Sequence, residues 1–182
     1  MAVIEISFLS AELALAALWL LLRVTVWLRQ RRVDWKREAA LLLMYGNLAV
    51  LMRITFFPAL CIDGRVQPLL LDLSKLLPPK INAVPIVRMP FYSDKTEMLL
   101  NHIGNIAIFI PSGFILPILY RRLNTFRKVL LTGTGLSLCI ELLQLPFFER
   151  TSDIDDLILN TLGVAVGYWL YSQIENQRTK AR

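Results

Sequence analysis

Histidine and cysteine are nearly missing from this chain, with one His and two Cys in 182 residues. His102 has no second histidine or cysteine at zinc-ligand spacing, so no metal site is expected. Cys61 and Cys139 form no disulfide framework and read as two unpaired packing thiols. No serine-hydrolase elbow, P-loop or zinc-binding helix motif occurs, and no cofactor is implied. The first residues lack a basic n-region and carry Glu5 and Glu12 instead, so no cleavable signal peptide is expected. No internal repeat is present, which removes the usual basis for alternating-access transport.

Apolar sequence, by contrast, is abundant. The chain is 55% hydrophobic, with a mean hydropathy of +0.53. These residues come in long runs rather than in an amphipathic pattern. A soluble domain of this length is not usually so apolar. The runs predict an all-α membrane protein, one domain over 1–182, with five transmembrane helices. They cover about Ile6–Leu28, Ala39–Leu60, Leu100–Leu119, Val129–Leu145 and Leu157–Tyr171. Pro111 and Pro117 are expected to kink the third, and Gly163 and Gly167 let a neighbouring helix approach the fifth closely.

One long extracytoplasmic loop, Cys61–Thr96, is expected between helices two and three. Pro68, Pro78, Pro79, Pro85 and Pro90 exclude a single regular helix there. Leu69, Leu70, Leu73, Leu76 and Leu77 recur at helical spacing. They fit an amphipathic interfacial helix or lid, or an ordered loop packing its leucines on the bundle.

The net charge is +6, from 20 basic and 14 acidic residues. The basic residues cluster in short stretches between apolar runs, the pattern of cytoplasmic loops, and nucleic acid is not an expected partner. Arg29, Arg31, Arg32, Lys36 and Arg37 follow the first run; Arg121, Arg122, Arg127 and Lys128 follow the third; Arg178, Lys180 and Arg182 end the chain. The positive-inside rule therefore places the N-terminus outside and the C-terminus in the cytoplasm. The acidic turn Glu149–Asp156 then lies outside.

Polar groups within apolar segments are costly, so they usually mark function. Glu12 and Arg53 fall at matching depths of about 9 and 10 Å from the outer ends of their segments, which predicts an intramembrane ion pair, or an Arg53 shared between Glu12 and Glu141. Asn105, Glu141, Gln144 and Asn160 fall in the same outer layer, below Arg150, Asp153, Asp155 and Asp156. Asp155 or Asp156 suits the start of helix five, where a carboxylate meets exposed N–H groups. Arg150 could bridge the aspartates to Glu141 or clamp a ligand phosphate or carboxylate. Three aspartates in one turn could also hold a divalent cation through oxygen ligands, although one acidic turn is slender support.

Three motifs carry a family resemblance. They are Asn105-Ile106-Ala107-Ile108-Phe109-Ile110-Pro111-Ser112-Gly113, then Ile140-Glu141-Leu142-Leu143-Gln144, then Arg150 through Gly163 with Asp153, Asp155, Asp156 and Asn160. In order and spacing the chain resembles the VanZ-like family of bacterial membrane proteins, most strongly over 101–170. The resemblance implies a multi-pass protein of the cytoplasmic membrane with a role in resistance to lipid-tailed glycopeptides such as teicoplanin, and no established catalytic activity.

Two readings of function follow. In the first, no catalysis occurs: a polar pocket facing the outer leaflet engages a lipid headgroup, a lipid-linked wall precursor or a lipoglycopeptide. In the second, the chain is an enzyme or flippase acting on a lipid-linked envelope precursor or a phospholipid headgroup, with carboxylates doing acid/base work. Pro111-Ser112-Gly113 has the outline of an acid-phosphatase-type lipid phosphatase motif, but Phe114 stands where such enzymes need histidine.

Overall fold

The computed structural model describes residues 4–30, 33–57, 61–62, 65–76, 79–84, 95–147 and 150–180. Expectations resting on Arg31, Arg32, Pro58, Leu77, Pro78, Pro85, Pro90, Glu149 and Arg182 fall outside these residues. Two compact units result, Met1–Pro79 with Pro146–Arg150, and Lys80–Leu145 with Thr151–Arg182.

The first unit is built on two long helices, α1 (Phe8–Gln30) and α2 (Trp35–Phe56). Asp34 stops the turn between them and starts α2, its carboxylate accepting the N–H groups of Lys36 and Arg37 at 3.1 and 3.3 Å. Such a cap satisfies donors that the first helical turn leaves open. Arg23 on α1 and Glu38 on α2 form a bidentate pair, with Nε to Oε2 at 2.9 Å and Nη2 to Oε1. Trp19 and Tyr45 meet across the same helices as a tilted pair, their ring centroids 5.2 Å apart. Beyond these contacts α1 buries none of its residues. Leu9, Leu13, Leu20, Leu21 and Leu22 all stand exposed, as a helix facing lipid requires.

Short strands close one end of this unit. Strand β1 (Ile4–Ile6) pairs antiparallel with β4 (Leu69–Leu71), Ile4 opposite Leu71. Strands β2 (Cys61–Ile62) and β3 (Arg65–Val66) form a small hairpin. Leu71 also bridges Phe147, and the Asp72 N–H donates to the Pro146 carbonyl at 2.9 Å. The leucine-rich segment is therefore not an amphipathic helix. Leu69–Leu71 gives its backbone hydrogen bonds to a partner strand, and only Leu73–Leu76 winds into a 3-10 turn.

The second unit is a three-helix core: α3 (Lys95–Leu119), α4 (Phe126–Gln144) and α5 (Ile154–Lys180). α5 packs against both of the others, most extensively against α3. Phe109, Val129 and Val164 are fully buried at the centre. The crossing of α3 and α5 is close enough to require glycine. A Cβ on Gly113 would overlap the Val164 carbonyl, and a Cβ on Gly163 would overlap that of Ile106. Small residues at such a seam let backbones meet. α3 runs through Pro111 and Pro117. Strand β5 (Ile81–Asn82) pairs in parallel with β6 (Ser152–Asp153), joining the long loop to the segment that leads into α5.

Four helices are long and apolar enough to cross a membrane: α1, α2, the 98–119 part of α3, and α5. The chain is a multi-pass membrane protein. α4 falls outside that set because its 19 residues include Arg127, Lys128 and Glu141. α5 extends past the expected Tyr171 to Lys180, ending in Arg178 and Lys180, where basic side chains complement the helix dipole.

Candidate functional site

The polar groups of the second unit gather where α4 ends and α5 begins. Asp153 is the hub, at 4% exposure. Its carboxylate accepts the Asp155 N–H at 3.0 Å, which makes Asp153 the cap of α5. Both of its oxygens also accept from Asn82 Nδ2 at 3.2 Å. Its own N–H donates to Glu141 Oε2 at 2.9 Å. The Ser152 N–H donates to the Lys80 carbonyl at 3.1 Å, holding the strand pair in register.

Asp155 and Asp156 occupy the first turn of α5 rather than the cap. The reason is geometric: a capping side chain must precede the helix, and α5 starts at Ile154. Asp156 reaches α3, where Asn105 Nδ2 donates to Oδ1 at 2.5 Å. Gln144, the last residue of α4, is buried three residues after Glu141. One turn below Glu141 and Asp156, Asn160 Nδ2 donates to Ser137 Oγ at 2.9 Å, with both residues buried. Thr134, about a turn from Ser137, shares a hydrogen bond at 3.1 Å with Thr161, the neighbour of Asn160. A polar seam thus runs between α4 and α5, through Glu141, Ser137 and Thr134 on one side and Asp153, Asn160 and Thr161 on the other.

A profile described as VanZ/LLP1 matches residues 14–175. The chain belongs to the VanZ/LLP1 family. Protein VanZ of Enterococcus faecium is 36% identical over 69 residues, a stretch covering 38% of this chain and 42% of that relative. No solved structure matches the chain. Within the matched stretch, separate hydrogen bonds join Asn105 to Asp156, Asp153 to Glu141 and Asn160 to Ser137.

The remaining expected residues lie in the first unit. Arg150 Nε donates to the Phe56 carbonyl at 3.0 Å, at the C-terminal end of α2, where carbonyls lack helical partners. Glu12 and Arg53 do not form the expected pair; the salt bridge among the described residues is Arg23–Glu38. Arg53 instead donates Nη1 to the Phe57 carbonyl at 3.2 Å and lies over the Phe8 ring at 5.4 Å. Matching depth fixes height along a helix and leaves the direction of each side chain open, and Arg53 finds carbonyl and ring partners at its own helix end. His102 Nδ1 bonds the Met98 carbonyl at 2.7 Å, a local contact within α3. Cys139 is a free thiol on an exposed face.

Sequence reasoning passed over Asn82, Ser137, Thr134 and Thr161. Ser137 and Thr134 stand four and seven residues before Glu141, the spacing of one helical face, so that periodicity was a usable signal. Asn82 gave none, because its place against Asp153 depends on a strand pair between distant segments.

Proposed function

We propose that this chain spans the bacterial cytoplasmic membrane five times, with its N-terminus outside and its C-terminus in the cytoplasm, and lowers susceptibility to lipid-tailed glycopeptides such as teicoplanin. The polar cluster at the α4–α5 junction engages the polar part of its ligand in the outer leaflet: a lipid headgroup, a lipid-linked wall precursor or the lipoglycopeptide itself. The role is one of binding rather than catalysis.

The observation that carries this reading is the convergence of Asn82, Asn105, Glu141, Asp153 and Asp156 at one end of a helical core whose other faces are apolar. Family membership gives it the resistance context.

The strand pairs support the topology. β5 and β6 are hydrogen-bonded neighbours, so the chain must return to the same end after α3 and α4. If α3 crosses the bilayer, α4 crosses back. Its 19 residues reach about 28 Å at 1.5 Å per residue, close to a hydrocarbon core of about 30 Å. Its charges lie near its ends, where Arg127 and Lys128 can snorkel to the interface. The β1–β4 pair supports an N-terminus on the same side as the Leu69–Leu71 segment. The basic residues Lys36, Arg37, Arg121, Arg122, Arg178 and Lys180 then all fall inside.

The test is expression of the wild type and Glu141→Gln in a sensitive host, at equal membrane levels. The wild type should raise the teicoplanin concentration needed to stop growth, and the variant should raise it less. A glycopeptide without a lipid tail should show a smaller effect. No change for either protein at equal insertion overturns the reading.

A further inference from the structure

One buried polar atom in the α4–α5 seam has no partner. Asn160 is 3% exposed; its Nδ2 donates to Ser137, while its Oδ1 accepts nothing. Buried acceptors in native proteins are satisfied as a rule, so an orphan calls for a missing donor or cation. One turn above Ser137 on the same face of α4, the carboxylate of Glu141 is 4% exposed. It is met by the Asp153 N–H and the Ser152 side chain, and no Lys or Arg among the described residues pairs with it. Asp156, on α5 one turn above Asn160, adds further negative charge from the facing helix.

We propose that the seam binds a monovalent inorganic cation, sodium in the first instance, between Asn160 Oδ1, Ser137 Oγ and the Glu141 carboxylate. The three groups offer oxygen only, as a hard cation requires. Residues four apart on a helix lie about 6 Å apart along the axis, and a cation with oxygen ligands on opposite sides spans about 5 Å. A single ion bridges the Asn160–Ser137 pair and the carboxylate above once the Glu141 side chain leans toward it by about 1 Å. A water molecule would satisfy Asn160 alone, whereas a cation satisfies Asn160 and favours the ionised form of the Glu141 carboxyl as well. Two neutral oxygens, from Asn160 and Ser137, beside one carboxylate suit a monovalent ion better than a divalent or transition metal.

This inference stands apart from the resistance reading, because it is tested on purified protein with no antibiotic present. The full chain in detergent or nanodiscs is melted in sodium, lithium, potassium and choline chloride at one pH and ionic strength. Sodium should raise the melting temperature over choline by about 3 °C or more near saturation. Glu141→Gln and Asn160→Ala should each lose that shift, while Cys139→Ser, on an exposed face of α4, should keep it. Sodium-23 NMR of the wild type should show line broadening that lithium reverses, a measurement that needs no variant to fold. Equal melting in all four salts without broadening overturns the proposal. So does a melting temperature that follows pH but not sodium, which would mean a proton alone, or a shift that both site variants retain.

Discussion

The backbone N–H of Asp153 donates to Glu141 Oε2 at 2.9 Å, tying the last turn of α4 to the cap of α5. The bond matters because Asp153 serves three partners at once: Glu141, Asn82 and the Asp155 N–H. Glu141 thus positions the residue that starts α5 and anchors the long loop.

Removing that acceptor leaves a buried N–H unsatisfied. Glu141→Ala should lower stability by about 1–3 kcal/mol, the usual cost of stranding a buried donor. Glu141→Gln keeps a carbonyl oxygen in place and should cost less than half as much. Asp153→Ala removes the cap itself, and that loss alone is worth about 1–2 kcal/mol. Thermal melting of the three variants in one detergent gives the order directly. Equal loss for Glu141→Ala and Glu141→Gln would show that the hydrogen bond contributes nothing.

The α3–α5 seam makes a sharper forecast. An added methyl at Gly113 meets the carbonyl of Val164, a backbone atom that cannot swing away. Gly113→Ala should therefore cost about 2 kcal/mol or more, by forcing the helices apart. Gly135, on α4, has open space around the same methyl. Gly135→Ala should stabilise by about 0.5–1 kcal/mol, since alanine favours the helix. Opposite shifts in melting temperature, measured side by side, are the expected result.

How far these features could be read from sequence depends on their range. The five helices follow from apolar runs, which are local, and the Gly163–Gly167 spacing already announced a close crossing. The start of α5 was misplaced for a physical reason. Hydropathy begins at Leu157, but the polar residues Ile154 leads into are helical, because Asp153 caps them. The loop strands were out of reach, since a pair such as Ile4–Leu71 is set by a partner far along the chain and not by its own few residues. The Glu12–Arg53 pairing erred in the same way: sequence gave two heights and no facing direction.

Asn105 and Asp156 join α3 to α5 through a charged hydrogen bond. Bonds to a charged group are worth about 1.5–3 kcal/mol, so a double-mutant cycle should detect coupling in that range. Asn105→Ala and Asp156→Ala should each destabilise, and the double variant should cost clearly less than the sum. Strict additivity would mean that the two side chains act independently, and the α3–α5 link would lose its energetic basis.

The path of α4 decides the topology, and two exposed or half-exposed positions in the second unit report on it. Lys80 precedes α3 and Thr151 follows α4, and the β5–β6 pair keeps their segments together. With Cys61 and Cys139 replaced by serine, single variants Lys80→Cys, Thr151→Cys, Arg121→Cys and Arg178→Cys can be labelled with an impermeant maleimide on intact cells. Lys80→Cys and Thr151→Cys should react from outside, while Arg121→Cys and Arg178→Cys should react only after permeabilisation. If the first two label from opposite sides, α4 does not cross. If all four give the reverse pattern, the carboxylates face the cytoplasm, and a ligand arriving from outside the cell could not meet them.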